Sequence, residues 1–434
     1  MQIEFDTAAF ECPNVPIPAV WTIRQKIDAP ILADVEGEVR SAVTKLFADS
    51  RLRPDASIAV GVGSRGINNL ALVVRSVISE LKKAGTSPFI VPAMGSHGGA
   101  TAEGQAEILR DYGISEATMG APVRAIMEVG QVAALDDGYP VYFDCNALQA
   151  DAVIVINRIK HHTDFKGPIE SGLGKMCAIG LGKQKGAATI HRFGADGLRR
   201  IVPAVARKLV ENVNIVGGIG LIENQYGQTA EIHAVPAAGI AAQQEMDLLI
   251  RARALAPRLP FDELDVLVVD EMGKNISGSG MDTHVIGRLR MPSTPESEWD
   301  GPNIRIVCVL DLTDESHGNA AGFGLADMTT RRLIEKIDFP ATWVNHFTSG
   351  EGGVQRGRLP LILEDSRSCV QSAVGLCGRG RYEEVRLARI RNTEFVETIQ
   401  VSSSILDEVR SRDDLELISG PHDMDLNTLL MAAS

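Results

Sequence analysis

The run "ADAVIVINRIKHH" (residues 150–162) holds five consecutive apolar positions, 152–156, and ends in a lysine and two histidines. A short, continuous, β-branched run reads as a strand buried on both faces, the pattern of a parallel sheet covered by helices. Working outward, "SIAVGVGS" (57–64) and "SPFIVPAMGSHGG" (87–99) have the same character, and each ends in glycines. Between them, "INNLALVVRSVISELKKAG" (67–85) spaces Leu70, Val73, Val74, Val77, Ile78 and Leu81 along one helical face, with Gly85 as the stop. Thr101 is placed to cap the helix that follows it. "GADGLRRIVPAVARKLVEN" (194–212) reads as a helix kinked at Pro203, and "VNIVGGIGLIEN" (213–224) as a further strand. The alternation predicts an α/β fold of two domains, with mostly parallel sheets, helices on both faces and an active-site cleft between the domains.

The prolines of "RALAPRLPFDE" (253–263) mark a boundary, so the domains are expected at 1–255 and 256–434. The second contains the strands "LDVLVVDEMG" (264–273) and "IRIVCVLDL" (304–312). The polar tail of about 40 residues is expected to pack back on the first domain or to form a cap.

Composition narrows the function. The chain has 434 residues and a net charge of -13, which disfavours nonspecific binding to nucleic acid or an anionic membrane. Its six cysteines are scattered without a CxxC pair, and the N-terminus lacks an apolar leader. Free thiols, a cytoplasmic setting and no membrane span are the expectations.

In a parallel sheet the loops after the strands gather at one edge, where ligands bind. Here those loops begin with Arg65, His97, the trio Lys160, His161 and His162, the pair Glu223 and Asn224, and the pair Lys274 and Asn275. Two phosphate motifs are excluded. GxxxxGK[ST] fails at both Gly174-Lys175 and Gly182-Lys183. "GVGSRG" has dinucleotide-type glycine spacing but no acidic residue about 20 positions on. Imidazoles titrate near neutrality, so two can serve as base and acid, and imidazole also ligates nickel, zinc or copper. The zinc-hydrolase spacings HExxH and HxxEH are absent.

"GSHGGAT", followed by "HHTDFKG", "SGLGK" and a histidine sixteen positions after that lysine, resembles the nickel-dependent lactate racemase family. The resemblance spans roughly residues 10–255. It implies a racemase or epimerase of 2-hydroxy acids carrying a nickel-pincer nucleotide, a pyridinium mononucleotide that holds nickel through carbon and two sulfurs. Lys175 would match the lysine that tethers this cofactor and His191 the protein ligand to nickel. His97 would match one acid/base histidine; the other would be His161 or His162, with His162 favoured. Arg65, with Ser64 and Gly174, would lie at the cofactor, and Arg65 or Lys274 would anchor the substrate carboxylate. Proteins that build the cofactor and insert nickel are implied partners. Three departures stand out: Phe165 occupies the strict-offset position of the second acid/base histidine, Leu173 replaces a motif glycine, and Val62 replaces an aspartate. They point to a 2-hydroxy acid other than lactate. The competing readings are a nickel-free lyase or dehydratase acting on a hydroxy acid, and a nucleotide- or anion-binding protein without enzymatic activity.

Overall fold

A computed structural model describes residues 12–48, 53–63 and 66–431. Within them the chain divides into two compact units, Ala29–Ala256 and a second that joins Pro257 onward to the residues before Ala29. The first strand, β1 (Val20–Gln25), therefore belongs with the C-terminal half.

The N-terminal unit contains β2 (Ser57–Val62), β3 (Ser87–Pro92), β4 (Val129–Ala134), β5 (Pro140–Asp144), β6 (Ala152–Arg158), β7 (Ile215–Glu223) and β8 (Thr229–Pro236). Its main sheet has the order β3-β2-β6-β7-β8, parallel except for β8, and β4 pairs with β5 as a separate hairpin. The predicted burial on both faces is met residue by residue. Ile58, Val60, Val62, Ile154 and Ile156 face one apolar cluster. Ala59, Val153 and Val155 face the other. The predicted face of the helix Leu70–Lys83 is buried at all six positions, and Thr101 caps its helix by accepting from the Gly104 N–H at 3.1 Å.

The 194–212 segment is helical without a break: a π-turn, Gly197–Ile201, runs directly into Val202–Asn212, and Pro203 follows it at once. The wider turn lies where the proline, lacking an N–H, cannot continue the ordinary ladder.

The C-terminal unit adds β9 (Glu263–Met272), β10 (Asn303–Leu312), β11 (Met328–Thr330), β12 (Leu361–Leu363), β13 (Leu387–Ile390), β14 (Thr398–Ser402) and β15 (Leu415–His422). The sheet order is β12-β11-β10-β9-β13-β14-β1-β15. Its first five strands are parallel; β14, β1 and β15 run antiparallel. One expectation is corrected: the N-terminal segment groups with the second unit, because β1 pairs with β14 and β15. In the C-terminal tail β15 closes this sheet, and the Leu430 N–H donates to Asp270 at 2.7 Å. Among the described residues no helix is long and apolar enough to cross a membrane.

Ile23 of β1 is fully buried, opposite Ile399 of β14 and Leu417 of β15. Ile23→Ala should destabilise this unit by about 2–5 kcal/mol, the range for truncating a buried isoleucine to alanine. The readout is faster hydrogen exchange in β14 and β15, with exchange in β2 and β6 unaltered. Equal acceleration in both sets would contradict the assignment of β1.

Candidate functional site

The chain leaves β2 toward β3 on one side and reaches β6 on the other, so the order reverses between β2 and β6. In open α/β sheets this is where the crevice for a ligand forms. Gly63 follows β2 there; Ser64 and Arg65 lie outside the described residues. The 93–101 loop follows β3, and the 159–171 loop follows β6.

The loop after β6 is closed at its base by paired backbone hydrogen bonds between Lys160 and Ser171 (2.9 and 3.2 Å). Its organiser is Glu170, whose side chain is fully buried. The carboxylate accepts from the His162 N–H (2.6 Å) and the Gly167 N–H (3.0 Å), and it pairs with Arg253 at 2.5 Å. His161 is buried in this loop, whereas His162 is half-buried. The His162 ring lies 4.6 Å from the Phe165 ring, and Lys175 Nζ lies 5.9 Å from that same Phe165 ring. Nδ1 of His162 accepts from the Asp164 N–H at 3.1 Å. A nitrogen that accepts carries no proton, so neutral His162 is the Nε2–H tautomer.

Lys175 ends a single turn, Leu173–Lys175, that runs into a π-turn, Met176–Gly180, and then into the helix Lys183–His191. The start of that first turn is held by Glu245, a buried carboxylate from the helix Gln243–Ala254. Glu245 accepts from the Gly174 N–H (3.0 Å) and the Ala241 N–H (2.7 Å), so the Gly174 amide is already engaged. Leu173, the departure from the motif, is fully buried against β7, and a Cβ at Gly218 would come within 2.9 Å of it. The glycines of β7 thus make space for this leucine.

His191 closes its helix at the surface, yet it is surrounded closely enough for desolvation to lower its pKa. The Lys175 charge lowers it further, and Asp164 opposes. Lys175, His191 and the 162–165 segment therefore form one electrostatic neighbourhood. His97 is exposed, on a loop fastened to the π-turn after Lys175 by the Gly95 N–H donating to Gly180 O at 3.0 Å. Gly98 in that loop has φ +66°, and a Cβ there would clash with the Gly104–Gln105 backbone at 2.6 Å.

Other polar residues make local hydrogen bonds and ion pairs. Glu223 pairs with Arg158 and accepts from the Asn68 N–H at 2.7 Å. Asn224 shapes its turn by accepting from Tyr226 and Gln228. Lys274 belongs to the C-terminal unit, where its ammonium donates to Gly278 O at 2.5 Å. His346 uses both ring nitrogens structurally, with Gly353 O at 2.8 Å and the Gly322 N–H at 3.3 Å. Among the described residues no three His, Cys, Asp or Glu side chains cluster to hold a metal ion by themselves. The residues missed in the sequence are the buried Glu170, Glu245 and Lys183. The one available signal was a charge on an otherwise apolar helical face, as for Glu245 in "QQEMDLLI" (243–250).

Residues 63–242 match a domain of unknown function, DUF362. No curated protein matches. Two solved structures are similar. One is the lactate racemase apoprotein of Thermoanaerobacterium thermosaccharolyticum, at 10% identity over 92% of this chain and 97% of that one, with a TM-score of 0.48. The other is a Thermotoga maritima protein, at 12% identity over 63% and 70%, with a TM-score of 0.43.

At pH 8, nitrogen NMR of the histidine rings should show His162 with a pyridine-type Nδ1 and a pyrrole-type Nε2; the reverse pattern would remove the Asp164 hydrogen bond. Glu245 offers a second check. Glu245→Ala leaves two buried N–H groups without an acceptor and should cost about 1–3 kcal/mol per stranded donor by urea denaturation. Burial raises the Glu245 pKa, so its ionisation opposes folding. Its contribution is full below the ordinary glutamate range and declines as pH rises through the folded value. Glu245→Gln should flatten that part of the stability profile; an unchanged slope would assign it to other groups.

Proposed function

We propose that this protein is an isomerase that racemises or epimerises a 2-hydroxy acid other than lactate, using a nickel-pincer nucleotide tethered at Lys175. The reading is supported by Phe165, whose ring lies near both His162 and Lys175, and by the Lys175 charge, which acts to lower the His191 pKa. Those residues lie in the segments whose motifs suggested the cofactor.

The donor set suits such a group. Lys175 supplies an amine for the covalent tether. His191 supplies a surface imidazole whose lowered pKa favours the neutral form that ligates a metal. When bound, the nickel-pincer nucleotide would supply a reversible hydride acceptor for C2 of the substrate.

The protein's own residues do the rest. The substrate hydroxyl must lose its proton from one side and regain it on the other, so two groups on different loops are needed. His97 and His162 meet that requirement, one after β3 and one after β6. The base takes the hydroxyl proton as a neutral imidazole and the acid returns one as an imidazolium, so His97 and His162 exchange these roles according to which epimer binds. Phe165 covers the flank of His162 and limits water there. Arg65 is the partner assigned to the substrate carboxylate. Lys274, held on Gly278, has no part in this reading.

The test uses protein matured with the cofactor-building and nickel-inserting enzymes. Wild type should gain mass by a covalent adduct that Lys175→Ala lacks; an equal gain in the variant would defeat the tether. His97→Ala and His162→Ala should each lower epimerisation at least 100-fold, the usual scale of general acid/base help. Full activity in either variant would remove that residue from the reaction. Retention of the substrate C2 hydrogen supports hydride transfer, whereas its exchange with solvent deuterium would support the lyase alternative.

A further inference from the structure

Lys183 is fully buried, although it lies in the glycine-rich segment between Lys175 and His191 and begins the helix that ends at His191. It adopts φ +54°, a backbone conformation that residues with a Cβ rarely take. Something must hold it there, and its ammonium shows what. Nζ donates to Pro92 O, the last residue of β3, at 2.5 Å and to Gln105 Oε1 at 3.1 Å. It also lies 3.3 Å from Asp144 Oδ2, a fully buried ion pair. Asp144 is fully buried too, and its other oxygen caps the short helix Cys145–Leu148 by accepting from the Ala147 N–H at 2.9 Å.

Gln105 completes the path. It is fully buried on the helix Ala102–Asp111, and its Nε2 donates to Gly95 O at 2.9 Å and to His97 O at 3.3 Å. A lone ammonium would be costly in this interior, and burial lowers the Lys183 pKa while raising that of Asp144. A buried ion pair is weak evidence of net stabilisation, because an apolar pair of similar volume often does as well. What an apolar pair cannot do is hold Pro92 O and orient Gln105 so that its amide N–H groups face the His97 loop.

We propose that Lys183 is a positioning residue: through Gln105 it fixes the His97 loop relative to the helix that carries His191. Its catalytic meaning rests on the isomerase reading, but its physical content does not. The relay couples two segments assigned different tasks, a proton carrier and a metal ligand. One buried cation keeps them in register, and neither Lys183 nor Gln105 is assigned a contact with substrate.

The test is amide hydrogen exchange on the full-length chain without cofactor. Three proteins are compared: wild type, Gln105→Leu, and the double variant Lys183→Met with Asp144→Asn. The double variant removes both buried charges and keeps the oxygen that caps Ala147. In both altered proteins, exchange at Gly95 and His97 should rise at least tenfold, with β6 and β7 amides unchanged. In matured protein, the covalent mass gain at Lys175 should persist while turnover falls at least tenfold. Unchanged exchange at Gly95 and His97 in both variants would overturn the proposal. So would uniform acceleration across β6 and β7, which would make the pair a plain contributor to stability. Failure of the wild-type protein to gain mass would defeat the isomerase reading alone and leave the exchange result standing.

Discussion

The parallel pairing of β2 with β6, in register from Ile58 opposite Ala152 to Val62 opposite Ile156, is the constraint on which the candidate site depends. Parallel strands deliver the next residue of each to the same edge. Because the strand order reverses at this pair, helices leave to both sides and a crevice opens between the loops. Gly63 and the 159–171 loop occupy that position, and β3 adds the His97 loop beside it. The alternating side chains of β2 and β6 enter two different apolar clusters, which fixes the register. A slip of one residue would exchange the two faces. The position of His162 is thus set by hydrophobic burial several residues upstream.

Burial sets where the loops begin, but three buried charged groups set their shape. Glu170 gathers the His162 and Gly167 amides, Glu245 gathers the Gly174 and Ala241 amides, and Lys183 gathers the end of β3 and Gln105. Backbone amides in irregular segments have no ladder partners, and leaving them bare in the interior is costly. A carboxylate can accept several N–H groups at once, so one side chain can organise a whole turn. In each case the loop is immobilised by a residue that is itself hidden from the surface. That leaves the side chains of His97, His162, Lys175 and His191 at or near the surface.

The sequence made the regular elements legible because their signals are local. β-branched runs gave the strands, the spacing of Leu70 through Leu81 gave a helix face, and Thr101 gave a cap. The grouping of Lys175, His191 and His162 is an expectation that came from motif spacing alone. The partner of β1 was not, since its antiparallel neighbour β14 lies nearly the whole chain away and nothing local in "VWTIRQ" names it. Nor were the organising charges. Glu245 acts on Gly174 from 71 positions away and Lys183 acts on Pro92 from 91, so neither leaves a short-range pattern. Asn224 erred in the other direction: a polar residue after a strand looked like site chemistry and instead shapes its own turn.

Two departures from the racemase-like motifs have local physical counterparts in this chain. Leu173 fills the space above Gly218 and Gly220 of β7, where any side chain on the strand would collide with it or with Ile159. Phe165 is buried between His162 and Lys175, an aromatic face where the motif offset would place an imidazole. His162 sits earlier in the same closed loop, and the Phe165 ring packs 4.6 Å from it. Leu173 and Phe165 are thus both buried parts of the packing around the loop after β6 and the turn at Lys175.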